Sequence, residues 1–136
     1  MNHLFAVLLA VSSFGLHAAE RVDSLPTRFL GEWSVGTRAC GADWDESMLV
    51  IKPRHITYWG STGPIKAVVV SGPREIMLIA ELSGEGETWL SASHFRLSAD
   101  GNALTAVDRT EKPFIRYRCL AGQAGRTVRQ PMSNGK

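Results

Sequence analysis

Two histidines, His55 and His94, lie beyond the first nineteen residues, and they are the natural general bases of the chain. A hydrolase would need such a base beside a nucleophile, or two carboxylates facing across a cleft. Both histidines sit in stretches that read as strands, and no serine lies in a Gly-x-Ser-x-Gly elbow. No catalytic residue is therefore assigned. Asp43, Asp45 and Glu46 could offer hard oxygens to Ca²⁺, but their spacing is not that of an EF-hand loop, and a solvated loop accounts for them. Zinc would need three or four converging ligands. With the two cysteines expected to pair, only the two histidines are left, so neither a metal nor a cofactor is expected. The glycines at 60, 63, 72, 84 and 86 precede no helix that could cradle a phosphate.

The aromatic residues offer a different chemistry, that of contact. Trp33 and Trp89 fall at spacings that suit a core, whereas Trp44 sits between Asp43 and Asp45, and Trp59 abuts Gly60. Two readings stand for Trp44 and Trp59: loop-tip anchors for a protein or sugar, or lids folded back over the core. In the first, Arg54, Tyr58 and Lys66 complete a polar rim around Trp59. Glu81, Glu85 and Glu87 flank Gly84 and Gly86 and form an acidic turn complementary to a basic partner. The candidate binding residues are thus Trp44, Trp59, Tyr58, Arg54, Lys66, Glu85 and Glu87.

The compartment follows from the two ends of the chain and its cysteines. Residues 1–19 contain no Asp, Glu, Lys or Arg, run wholly apolar from Leu4 to Val11, and end on Ala18 and Ala19. This is the pattern of a cleaved signal peptide, with Glu20 as the new first residue. The run is far short of the ~20 residues that cross a bilayer, so no stable membrane span is expected. Cys40 and Cys119 should pair in an oxidising space such as the periplasm. Closing a loop of 79 residues is worth roughly 4 to 5 kcal/mol on the loop-entropy account. Residues 20–108 carry eight basic and twelve acidic side chains, net −4, while 109–136 carry seven basic and one acidic. In an exported chain this basic end does not argue for nucleic acid. The domain is expected over 20–121, followed by a flexible basic tail over 122–136 with only Val128 and Met132 to bury.

Such contacts need a scaffold, and 136 residues with 44% apolar content allow one domain. Asp23 or Ser24 could cap a single helical turn from Pro26 to Leu30. Thereafter Gly or Pro interrupts every eight to twelve positions and the apolar spacing is two or continuous, the rhythm of an all-β domain. Strands are predicted over 31–38, 47–52, 55–59, 65–71, 75–82, 87–98, 102–107 and 114–119. Short joints make an antiparallel meander, closed as a barrel of about eight strands to remove its edges. A β-sandwich is the alternative. The expected inward sets are Trp89, Ser91, Ser93, Phe95 and Leu97; Ile76, Leu78, Ala80 and Leu82; and Ile115, Tyr117 and Cys119, with Arg116 and Arg118 outside. Residues 98–102 should form a tight turn in which Gly101 takes a positive φ.

Phe29-Leu-Gly31-Glu-Trp33, a Gly-x-Trp pair after a short turn and at the start of the first strand, resembles the start of lipocalin-like and avidin-like barrels. The resemblance implies that Trp33 closes the barrel floor and that a later arginine, Arg116 or Arg118, stacks on it. The layout from the leader through Ser61-Thr62-Gly63, the segment 84–89, the segment 97–101 and Arg116-Tyr117-Arg118-Cys119 also looks like small exported bacterial proteins of unassigned function. Periplasmic lysozyme-inhibitor barrels share the size, leader and disulfide habit. Their Ser-Gly-x-x-Tyr loop has no match here, and Ser61-Thr62-Gly63-Pro64 departs from it.

The functional expectation is a non-enzymatic exported binding module that meets a protein or envelope component through its loops. The alternatives are a small-molecule carrier of lipocalin-like type for a small apolar ligand, and a periplasmic inhibitor of a basic hydrolase such as lysozyme. A carrier requires an apolar cavity of a few hundred cubic ångströms, a protein-binding module an exposed aromatic patch, and an enzyme a histidine paired inside a cleft.

Overall fold

The computed structural model describes residues 18–107 and 112–120. The leader, apart from Ala18 and Ala19, and the tail over 122–136 lie outside the described residues. The fold is all-β. Its strands are β1 (Glu20–Val22), β2 (Gly31–Ser34), β3 (Leu49–Lys52), β4 (His55–Tyr58), β5 (Ser61–Val70), β6 (Glu75–Gly84), β7 (Glu87–Leu97), β8 (Ala103–Ala106) and β9 (Phe114–Arg118). β2 to β9 form a closed antiparallel barrel: β5-β4-β3-β2-β9-β8-β7-β6 lie side by side and β6 pairs back onto β5. The ninth strand was not predicted. β5 is ten residues long, and β4 covers only Ser61–Pro64, so β1 fills the same edge farther along, with Arg21 opposite Val69.

Alternation puts one face of each strand inside. Leu49, Ile51 and Ile56 from β3 and β4, Val68 from β5, and Ile76, Leu78, Ala80 and Leu82 from β6 meet Phe95 and Leu97 of β7 and Leu104 of β8. The β6 assignment holds as read, and β7 turns the expected parity inward. Trp33 is fully buried at the floor, and its indole Nε1–H donates to the carbonyl of Phe29 at 3.2 Å. Phe29 belongs to a single 3-10 turn, Thr27–Phe29, which Leu25 and Phe29 fasten under the barrel. Neither Asp23 nor Ser24 caps that turn. Pro26 holds the cap position with no side-chain bond, because its fixed φ of −59° already sets the entry.

Several boundaries differ from the sequence reading, each for a local reason. The first barrel strand stops at Ser34 instead of running to Arg38. The Ser34 hydroxyl takes the Gly36 N–H at 3.2 Å and lies 3.0 Å from the Gly36 carbonyl, turning the chain off the sheet into a 3-10 turn, Thr37–Ala39. Residues 61–64 of the expected 60–64 loop are strand instead, so the β4–β5 connection is the turn at Trp59 and Gly60. Gly63 permits this early start: a Cβ there would lie 1.8 Å from the Glu81 carbonyl oxygen. The turn at 98–102 is as expected, with Gly101 at φ 75° and its N–H donating to the Ser98 carbonyl.

β9 overturns the expected parity. Arg116 is buried and Arg118 half-buried, while Ile115 and Tyr117 are exposed. The Arg118 guanidinium lies 4.2 Å from the Trp33 ring centroid and donates to the carbonyls of Leu30 and Arg28, each at 2.7 Å, and of Gly101 at 3.0 Å. Burial pulls its pKa down, but from so high a value that the group stays protonated. With 116 and 118 inside, Cys119 belongs to the outward parity. The Cys40–Cys119 disulfide forms, with a Cα–Cα distance of 5.8 Å, and pins the 35–48 connection to the end of β9.

The close approach at Gly63 yields a stability prediction. Gly63→Ala should destabilise the fold by at least about 2 kcal/mol, because backbone must separate where the barrel closes. Gly60→Ala, where a Cβ meets nothing within 4 Å, should change stability by less than ~1 kcal/mol in the same urea titration.

Candidate functional site

One end of the barrel gathers most of the exposed aromatic surface. The β4–β5 turn at Gly60 and the β6–β7 turn at Glu85-Gly86 sit side by side there, since a Cβ on Gly84 would lie 2.3 Å from the Gly60 carbonyl. Gly60, Ser61, Gly84, Glu85, Glu87 and Trp89 line a cleft of about 460 Å³ between them. The 35–48 connection joins this rim: the Trp59 indole N–H donates to the Asp43 carbonyl at 3.0 Å, placing Trp44 next to that contact in sequence. Trp44 is 69%, Trp59 53% and Trp89 41% exposed, so three of the chain's four tryptophans face solvent at the rim.

Trp89 corrects the expectation of a core residue. It has the inward parity, opposite Leu82, but β7 overshoots β8, which pairs only with Phe95–Leu97. Among the described residues, no strand pairs with β7 on that side at Trp89. Glu85 has the one positive φ of a non-glycine residue among the described residues, 51°, followed by Gly86 at 80°. Two successive left-handed residues make the I′ turn that suits a hairpin. A glutamate there costs roughly 1 kcal/mol relative to an unstrained backbone.

The other proposed rim residues do not assemble around Trp59. Tyr58 points into the barrel, its hydroxyl 3.0 Å from Ser93 Oγ. Arg54 lies in the β3–β4 turn at the opposite end of β4. Lys66 is on the outer wall, with Nζ 4.0 Å from Glu81 Oε1, so Glu81 also leaves the acidic turn. Register explains this: β4 is four residues long, so positions 54 and 59 end at opposite ends of the strand.

Of the 43–46 carboxylates, Asp45 serves the fold, while Asp43 and Glu46 are exposed. Asp45 is buried, with Oδ2 receiving the Ser34 hydroxyl at 2.7 Å and Oδ1 the Ser47 N–H at 3.0 Å. Among the described residues no group of three or more His, Cys, Asp or Glu converges as a metal would require. His55 Nε2 lies 2.8 Å from Thr62 Oγ1. His94 Nε2 lies 2.5 Å from Glu75 Oε1, and Arg96 reaches the same carboxylate at 3.4 Å. Both histidines have the outward parity, away from the mouth of the barrel. Hydrogen bonds from Arg96 and then His94 hold the Glu75 carboxyl below the usual glutamate value.

Inside the mouth is a feature that sequence reasoning passed over. Tyr58, Ser61, Ser91, Ser93, Phe114 and Arg116 are among the residues around a cavity of about 240 Å³. Arg116 Nε donates to the Ser47 carbonyl at 2.7 Å, and its guanidinium lies 4.4 Å from the Phe114 ring centroid. Two serines at 91 and 93, on an inward stripe otherwise closed by Phe95 and Leu97, were the available signal.

No protein-family model, curated protein or solved structure matches this chain. The disulfide fits an oxidising compartment, and among the described residues no helix is long and apolar enough to cross a membrane.

Two measurements check this geometry. Acrylamide should quench the fluorescence of Trp44, Trp59 and Trp89 and leave a blue-shifted, protected component from Trp33; complete protection would contradict the rim. For Glu75, a lowered folded-state pKa contributes stability above the unfolded value of 4.5, and that contribution is lost as pH falls through the folded value. Glu75→Gln should therefore cost up to ~1 kcal/mol at about pH 7 and nothing at about pH 2 in urea unfolding.

Proposed function

We propose that this chain is a non-enzymatic exported binding module that grips a protein or envelope component with the tryptophan-bearing rim of its barrel. The observation that carries this reading is the grouping of exposed Trp44, Trp59 and Trp89 at one end, beside Glu85 and Glu87. Large rigid aromatics contribute most of the affinity at small interfaces, since they bury much area at little entropic cost. The disulfide and the Asp45 network hold the Trp44 loop in place before any partner arrives, which lowers the ordering cost of binding. Carboxylates on the rim favour a basic partner surface and speed encounter more than they set affinity. A basic hydrolase such as lysozyme is one partner of that character. The interior supports the carrier of an apolar ligand less well, because its cavity of about 240 Å³ is small and rich in hydroxyls.

The test compares the oxidised mature protein with Trp44→Ser/Trp59→Ser on an immobilised envelope extract, with lysozyme added separately as a defined basic probe. The native rim should retain a stoichiometric partner, and the double variant should bind it at least about 30-fold more weakly. A partner held equally by both, or none in repeated captures, would overturn the reading.

A further inference from the structure

We infer that the cleft between the β4–β5 and β6–β7 turns is a saccharide site, one that takes a neutral, equatorially substituted hexopyranose chain. The inference rests on the reading of the rim as the contact surface and commits the envelope component met there to a glycan. The cleft is lined by Gly60, Ser61, Gly84, Glu85, Glu87 and Trp89. Trp89 is 41% exposed, and its flat, electron-rich ring attracts the weakly positive C–H groups on one face of a pyranose. The carboxylates of Glu85 and Glu87 are acceptors only, and a ring with equatorial hydroxyls turns its donors outward along its edge.

Spacing lets one ring meet both kinds of group. Glu87 and Trp89 share the inner parity of β7, two residues or roughly 7 Å apart along the strand. A sugar stacked on the indole therefore has its edge hydroxyls within reach of the carboxylate. These groups are available to it: among the described residues no hydrogen bond or ion pair engages the side chains of Ser61, Glu85, Glu87 or Trp89. The walls are also set beforehand. A Cβ on Gly84 would lie 2.3 Å from the Gly60 carbonyl oxygen, Thr62 pairs with Ser83, and Ser83 Oγ lies 2.9 Å from Thr88 Oγ1 across the hairpin. A preformed cleft spares its ligand the cost of ordering it. The site is remote from the end of β8, where the Val107 N–H donates to the His94 carbonyl; Trp89 lies five residues farther along β7, roughly 17 Å.

Size and lining narrow the class. At liquid water's ~30 Å³ per molecule, about 460 Å³ corresponds to about fifteen waters, room for one or two sugar rings and more than an ammonium head group fills. Among the described residues Trp89 is the one large apolar side chain of the lining, so an acyl chain finds little to pack on. Two carboxylates with no cation beside them in that lining repel an anionic sugar.

Cellotriose and chitotriose, both neutral and β-linked with equatorial substituents, serve as probes, with trigalacturonate as the anionic and spermidine as the cationic control. Each is titrated into the oxidised mature protein and followed by amide NMR. At least one neutral sugar should shift the Ser61, Gly84, Glu87 and Trp89 amides saturably and move the Trp89 indole, and trigalacturonate should bind at least about tenfold more weakly. Trp89→Leu keeps an apolar side chain but removes the flat face; it should weaken the sugar at least about tenfold, and Trp89→Tyr should recover part of the loss. Because Trp89 also sits over the barrel mouth, Glu85→Gln/Glu87→Gln tests exposed side chains alone and should weaken binding at least about fivefold in a protein whose other amide shifts are native. The probes are defined sugars, so failure of the envelope capture leaves this titration intact, and failure of the titration leaves the capture to its own result. Absence of binding by both neutral sugars, shifts confined to other parts of the barrel, tighter binding of spermidine than of either sugar, or full binding by Trp89→Leu would overturn the assignment.

Discussion

The stack of Arg118 on Trp33 holds the floor of the barrel, and most of the architecture leans on it. One guanidinium touches the face of a fully buried indole and caps carbonyls of Arg28, Leu30 and Gly101. Those carbonyls come from the N-terminal turn as it runs into β2 and from the β7–β8 hairpin, two pieces far apart in sequence. A cation over tryptophan, partly desolvated, contributes roughly 1 to 2 kcal/mol. The geometric effect is larger than that figure suggests. Carbonyls at the ends of a turn and a hairpin would otherwise need water beneath a packed core, and a single side chain supplies them all.

Once Arg118 faces inward, period-two alternation leaves β9 no further choice. Arg116 must also face in and Tyr117 out, so the strand that seals the floor with one arginine places another in the mouth. The same register puts Cys119 on the outward side, where it holds the 35–48 connection through Cys40. Glu32 on β2 reinforces that attachment, its carboxylate receiving the Gly41 N–H at 2.8 Å. Floor chemistry, mouth chemistry and the anchoring of the Trp44 loop are thus three outcomes of one strand's register.

The β rhythm and the meander were legible because turn residues and alternation are local signals, whereas closure stood beside a sandwich that the same alternation allows. The inward face of β6 could be read from Ile76, Leu78, Ala80 and Leu82 alone. β9 could not, since Ile115 and Tyr117 against Arg116 and Arg118 is the pattern of an outer polar face. Only the nonlocal partners Trp33 and Ser47 reverse it. Trp89 differs in the opposite sense: its parity was right, but it lies at the rim end of β7, where inward parity does not bring burial. For the rim, Trp44 and Trp59 stood out by their loop positions, whereas grouping Arg54 and Lys66 with them ignored that a four-residue strand separates its two ends.

The two inward arginines show how one barrel can be closed at one end and open at the other. Arg118 spends its donors on main-chain carbonyls that cannot leave, which makes the floor permanent. Arg116, on the mouth side, gives Nε to the Ser47 carbonyl and lies over the Phe114 ring. The strands follow the same division. β5, β6 and β7 run on past the short β8 toward the mouth, while at the floor Leu97 and Leu104 pair directly. Among the described residues β7 thus carries Trp89 past the part of the strand that pairs with β8, and its indole is 41% exposed.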